Sequence, residues 1–234
     1  MNINALQKTA KMLVVHGKGI LAADESTGTI KQRFDSINVT STEITRRDYR
    51  HMLFTTPDVS KHISGVILYE ETLHQNSADG TPLVKIISDN GMIPGIKVDA
   101  GAKQLAGWSG ETVTEGLDGL RERCIKYYEL GARFTKWRAT YHITGTMPSD
   151  ACVEANAHAL ARYAAIAQET GLVPIVEPEI LMNGSHTIER CDDVSERVLR
   201  SVYAALANQG VILEGTLLKP NMILSGSECP DQVG

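Results

Sequence analysis

Charged residues recur in this chain where short apolar runs end. In LEGTLLKPN, residues 213–221, two leucines precede Lys219 and a proline follows it. An ammonium placed in apolar surroundings near other cations has its charged form disfavoured, so its pKa falls. A neutral amine is then free to attack a carbonyl, which is the requirement of Schiff-base chemistry. Four other runs carry charge in the same place: Asp24 in GKGILAAD, Lys97 in IPGIKVD, Lys136 in ARFTKWRA and Glu177 in VPIVEPE. In an extended chain residues i and i+2 point the same way. That spacing pairs Lys97 with Asp99, Lys136 with Arg138 and Glu177 with Glu179, and turns Trp137 to the opposite side. Lys97 and Lys136 are expected to press on the Lys219 ammonium. Glu177 is placed to move protons for carbinolamine formation and dehydration. Asp24 is placed to take a hydroxyl proton or to stabilise a charged intermediate. The set reads as carbon–carbon bond chemistry through an iminium. The surplus cations Lys97, Arg138 and Arg33 point to a phosphorylated substrate. Any one of these pairs, taken alone, is as well explained as a salt bridge. Five strand ends delivering charge together are not, because buried charge contributes little net stability.

Short strands and their connections must hold these groups. Strand-like stretches occur at 17–24, 64–69, 93–99, 132–139, 173–179 and 214–220, each continuous in apolar residues and so suited to burial on both faces. Helical stretches over 114–130, 149–170 and 193–209 each run into a glycine, Gly131, Gly171 or Gly210, where a left-handed stop belongs. Ser149 and Asp150 behind Pro148 read as a helix start. Alternating strand and helix implies parallel pairing with right-handed crossovers. Charge at the C-terminal ends of five strands favours an α/β fold of the TIM (β/α)₈ type, which gathers such ends round one mouth, over an open doubly wound sheet. No GxGxxG or GxxxxGK loop supports nucleotide binding. Such a barrel needs eight strands, and six are legible, so about six of the eight βα units are expected over residues 1–234 as a single domain.

The bulk properties narrow the class. Of 234 residues 42% are hydrophobic and 22% charged, and the net charge is −5. With no basic run this argues against nucleic acid as a partner. No stretch has the roughly 20 apolar residues of a membrane span, and the N-terminus lacks a signal-peptide pattern. The four cysteines are scattered, as expected of reduced thiols in a cytoplasmic protein. The seven histidines form no metal motif, so neither metal nor cofactor is expected.

The segments GKGILAADESTGTI, GVILYEETL, GIKVDAG, LAGWSGETVTEGLDGL, KWRAT, PIVEPEIL and LEGTLLKPNM, taken in order, resemble class I fructose-bisphosphate aldolase from about residue 17 to about residue 223. That resemblance implies reversible cleavage of fructose 1,6-bisphosphate to dihydroxyacetone phosphate and glyceraldehyde 3-phosphate, in glycolysis and gluconeogenesis, without metal, by a cytosolic homotetramer. It implies Lys219 as the Schiff-base lysine, Glu177 as the main acid and base with Glu179 in support, Lys136 as a helper in proton transfer, and a part for Asp24. It places Lys97, Arg138, Ser26 and Thr29 near the distal phosphate, and Arg33 on a phosphate. At Gln32 the family more often carries a basic residue. Members of the family also continue well past LLKPNM, through a seventh and an eighth strand and a mobile tail. The expectation is therefore an incomplete record of an aldolase, with little cleavage activity for the 234 residues alone. The alternative is a non-catalytic interaction module derived from one. A preference for fructose 1-phosphate is left open.

Overall fold

The structure, a computed structural model, describes residues 1–232. Its elements in chain order are α1 (Ile3–Leu13), β1 (Gly19–Ala23), α2 (Thr27–Asp35), α3 (Glu43–Thr55), α4 (Val59–His62), β2 (Ile63–Leu68), α5 (Glu70–Leu73), α6 (Leu83–Asp89) and β3 (Ile93–Lys97). There follow β4 (Ala102–Gln104), β5 (Thr112–Thr114), α7 (Leu120–Glu129), β6 (Phe134–Tyr141), α8 (Asp150–Glu169), β7 (Val173–Ile180), α9 (Ile188–Asn208) and β8 (Leu217–Leu218). Six strands form one sheet in the order β1-β2-β3-β6-β7-β8, and every adjacent pair is parallel. The protein is thus α/β with a TIM-like parallel sheet. β4 and β5 form a separate antiparallel hairpin.

The two faces of the sheet bury different things, and period two decides which. Ala23, Val66, Leu68, Ile96, Trp137, Ala139, Tyr141, Val176 and Ile180 pack outward against the helices in the larger core. Trp137 stacks on Tyr163 of α8 with ring centroids 5.3 Å apart, as its position in TKWR required. On the inner face a smaller cluster of Ile67, Phe134, Val173 and Ile175 is closed from below by Leu6, Ala10 and Leu13 of α1. Glycines make room for its central ring: a Cβ on Gly95 would meet Phe134 at 2.4 Å, and one on Gly65 would meet it at 3.1 Å.

The helix stops stand where the sequence put them. Gly131, Gly171 and Gly210 all have positive φ, which glycine adopts at little cost. Ser149 caps α8 by accepting the Cys152 amide at 3.1 Å.

Three expectations are corrected. The helix expected over 114–130 begins only at Leu120, because Gly116 and Gly119 take positive φ and Thr112–Thr114 pairs with Ala102–Gln104. The helix expected from 193 begins at Ile188, where Thr187 caps it by accepting the Arg190 amide. The sixth strand, expected over 214–220, is reduced to Leu217–Leu218 behind a single 3-10 turn at Leu213–Gly215. The helices between the first three strands leave little trace in the sequence, since they are short or, in α3, dominated by polar residues.

Among the described residues no helix is long and apolar enough to cross a membrane.

Candidate active site

Continuing the inner face of each strand past the apolar floor leads to the charged residues. β6 reads Phe134, Lys136, Arg138 on that face, and β7 reads Val173, Ile175, Glu177, Glu179. Together with the end of β1 and the end of β3 they line a cleft of about 840 Å³ that holds Asp24, Ser26, Thr29, Arg33, Lys97, Lys136, Arg138, Glu177 and Glu179. Nine of the ten residues singled out in the sequence therefore face one space. The tenth, Lys219, does not line the cleft itself but reaches its edge by a hydrogen bond from Nζ to Glu177 Oε1.

The chemistry of the site is one chain of alternating charge. Lys219 Nζ donates to Glu177, whose other carboxylate oxygen lies 3.4 Å from Lys136 Nζ. Lys136 Nζ then donates to Asp24 Oδ2 at 2.9 Å. Glu177, Lys136 and Asp24 are almost wholly buried. Burial by itself would lower the Lys136 pKa, but the Asp24 and Glu177 carboxylates outweigh it and hold the ammonium above its ordinary value. Lys219 departs from expectation. Its side chain is 48% exposed and ion-paired with Glu177 rather than sunk among apolar groups. β8 is two residues long and ends at Leu218, so Lys219 stands just past the strand. Nor is Lys97 a free cation pressing on Lys219. It is bound to Asp99, the partner its i+2 spacing predicted.

The cations expected to meet phosphate are each held by a carboxylate. Lys97 pairs with Asp99, Arg138 with Glu179, and Arg33 with Glu25. Ser26 and Thr29 stand at the start of α2, where Ser26 Oγ accepts the Thr29 amide and the two hydroxyls lie 3.0 Å apart. A helix N-terminus carrying two hydroxyls suits an oxyanion.

Several contributors were not found by sequence reasoning. Glu25 sits beside Asp24 and grips Arg33. Behind it, Arg50 of α3 is fully buried, and its Nη2 donates to the Glu25 backbone carbonyl at 2.6 Å. Burial draws the Arg50 guanidinium down from its ordinary value, against the pull of Glu25 and Glu71. Arg46, one helical turn earlier, donates from Nε to Glu71 at 2.8 Å. The i, i+4 spacing of Arg46 and Arg50 in TRRDYR was a visible signal that both could face the sheet. Tyr127 donates to Glu70 at 2.9 Å on the far wall of the cleft. Among the described residues no group of three His, Cys, Asp or Glu side chains is placed to hold a metal ion.

Comparison with known proteins places this arrangement in a family. The family described as glycolytic class-I fructose-bisphosphate aldolase matches residues 5–234. A probable class 1 fructose-bisphosphate aldolase of Xanthomonas campestris is 56% identical over 232 residues, covering 99% of this chain and 70% of the relative. The cytosolic fructose-bisphosphate aldolase 6 of Arabidopsis thaliana is 61% identical over 212 residues, which is 91% of this chain but 59% of that relative's length. Among solved structures, the fructose-bisphosphate aldolase of Plasmodium falciparum, in complex with TRAP and a small-molecule inhibitor, superimposes with a TM-score of 0.97 at 50% identity. The match covers 99% of this chain and 67% of that one.

Proposed function

The chain belongs to the class I fructose-bisphosphate aldolase family, a family of lyases, and we propose how its own side chains divide the reversible cleavage of fructose 1,6-bisphosphate. Lys219 Nζ attacks the C2 carbonyl of the sugar. Glu177 takes the proton that Lys219 must lose and returns one to the departing C2 oxygen, so that water leaves and an iminium forms. Asp24 accepts the proton of the C4 hydroxyl as the C3–C4 bond breaks. Its electron pair passes to the iminium, leaving an enamine on Lys219. Lys136, held between Asp24 and Glu177, balances both carboxylates as protons move, and Glu179 orients Arg138. Protonation at C3 and hydrolysis release dihydroxyacetone phosphate and restore the amine. Lys97, Arg138, Arg33, Ser26 and Thr29 hold phosphate. No step needs a metal or a cofactor.

The observation that carries this reading is the unbroken contact chain Lys219–Glu177–Lys136–Asp24 across the C-terminal ends of four strands. It supplies a nucleophile, a proton carrier within reach of it, and a second base in one cleft. The test is borohydride reduction in the presence of dihydroxyacetone phosphate, followed by peptide mapping. The expected result is a single labelled residue, Lys219, and none in Lys219→Arg. Labelling elsewhere, or none, sinks the assignment.

The wider reading goes with it. The sheet is six of the eight strands of a (β/α)₈ barrel within a single domain, the subunit assembles as a homotetramer, and it works in the cytoplasm. The cytosolic plant relatives support the location.

A further inference from the structure

We propose that Arg50 is a positioning residue that takes over the Glu25 carboxylate when a substrate phosphate takes Arg33. This rests on the reading of the cleft as a sugar-phosphate site and adds to it a step that no cleft-lining residue performs alone.

Three observations carry it. First, Arg33 is occupied. Its Nη1 donates to Glu25 Oε1, and the arginine side chain is 60% exposed while that of Glu25 is 8% exposed. A phosphate arriving at Arg33 therefore displaces a carboxylate that cannot simply turn to water. Two anions sharing one guanidinium would repel, and a buried carboxylate left alone is strongly disfavoured.

Second, the second carboxylate oxygen of Glu25 is buried without a hydrogen-bond partner, and so are Nε and Nη1 of Arg50. Buried donors and acceptors normally find partners. Here the unpartnered acceptor lies beside the under-used guanidinium. Glu25 Oε2 stands 3.9 Å from Arg50 Nη2, so a side-chain rotation bringing it about 1 Å closer makes a charge-assisted hydrogen bond of ordinary length. Arg50 is anchored for the task, since its Nη2 already holds the Glu25 carbonyl.

Third, the other acid within reach of Arg50 is already committed. Glu71 lies 3.6 Å from Arg50 Nη1, but both of its oxygens receive hydrogen bonds from Arg46. Arg50 Nη1 makes no hydrogen bond to Glu71, so the guanidinium keeps donors to spare for Glu25. The arrangement is particular to this corner of the cleft. Among the described residues, neither Asp99 nor Glu179, the acids holding Lys97 and Arg138, has a second buried cation beside it.

The exchange runs as follows. Phosphate takes the Arg33 guanidinium beside the Ser26 and Thr29 hydroxyls. Glu25 swings back onto Arg50. No proton is transferred and no charge is left unpaired.

The test is equilibrium binding by titration calorimetry with fructose 1,6-bisphosphate and with fructose 1-phosphate, which lacks the distal phosphate. The proteins are the natural chain, Arg50→Gln, Arg50→Lys, Glu25→Gln and the double variant. Arg50→Gln is expected to weaken the bisphosphate by about tenfold or more, as the loss of a charged hydrogen bond does. It should leave fructose 1-phosphate within about twofold. Arg50→Lys, which keeps the charge, should recover part of the loss. Glu25→Gln should bind the bisphosphate at least as tightly as the natural chain, because nothing then competes for Arg33. In that background Arg50→Gln should have no further effect. A purely structural role predicts the opposite pattern, with Glu25→Gln weakening binding, both ligands weakened alike, or the two losses adding. Any of these overturns the proposal. Borohydride trapping of Lys219 on the same proteins separates the two failures. Trapping intact with the wrong affinity pattern refutes the exchange alone. Absence of trapping in the natural chain refutes the site assignment and the exchange with it.

Discussion

Replacing Gly95 with alanine puts one methyl group under Lys97 and Lys136, and its effect can be worked out from distances. The new Cβ would lie 2.4–2.5 Å from three atoms of the Phe134 ring. Carbon atoms in contact prefer about 3.5–4.0 Å, so the ring or the strand must yield by roughly 1 Å. Neither has room, because Phe134 is fully buried among Leu6, Leu13, Ile67, Val173 and Ile175. Overpacking of this kind costs about 1–3 kcal/mol. The gain from a less flexible unfolded chain is at most about 1 kcal/mol. The net expectation is a loss of about 1–2 kcal/mol, or a Tm lowered by roughly 2–8 °C for a chain of this size. Urea unfolding followed by circular dichroism measures it. Phe134→Leu alone should cost about 1 kcal/mol or somewhat more through lost contacts. The double variant should lose at least about 1 kcal/mol less than the sum of the two singles. Additive losses, or a stable Gly95→Ala protein, would refute the idea that this ring sets the height of the floor.

Other outcomes follow from the same geometry. Asp24→Asn leaves Lys136 with only Glu177 at 3.4 Å, and should cost about 2–3 kcal/mol at pH 7, toward the low end for a broken buried pair. Lys136 has a raised folded pKa, so the stability it gains is fully present below its ordinary 10.5 and is lost as pH rises through the higher folded value. The gap between Asp24→Asn and the natural chain should therefore narrow in alkaline urea titrations, and a gap that widens contradicts the pairing. Burial pushes the Cys124 thiol up to about 12, so an Ellman assay at pH 8 should leave it unmodified in the native protein and modify it in urea. The Asp79 carboxyl, hydrogen-bonded by the Ser77 hydroxyl and the Thr81 amide, is held down to about 2. Its carbon-13 titration should show that midpoint and move up toward 3.8 in Ser77→Ala.

Much of this was legible because two signals, alternation in the strands and glycine at helix ends, are strong in the sequence. Alternation in TKWR and VEPE sent Lys136, Arg138, Glu177 and Glu179 to one side and Trp137 to the other, and that is how they stand. Glycines 131, 171 and 210 marked helix ends because their positive φ is demanded by the backbone and not by distant contacts. What stayed hidden depends on contacts remote in sequence. Arg50 meets Glu25 across 25 residues, and although the spacing in TRRDYR puts Arg46 and Arg50 on one face, nothing there says which of the two is fully buried. The half-exposed setting of Lys219 is similarly non-local, since LEGTLL reads as apolar while only Leu217 and Leu218 join the sheet.

The alternation along β6 also fixes how errors in this strand would express themselves. Deleting a single residue ahead of Lys136 would exchange the destinations of every side chain after it. Trp137 would be driven into the cleft, and the ammonium of Lys136 would be pressed against Tyr163, away from Asp24 and Glu177. Cleft lining and helix packing share one ribbon, so neither can slip without ruining the other.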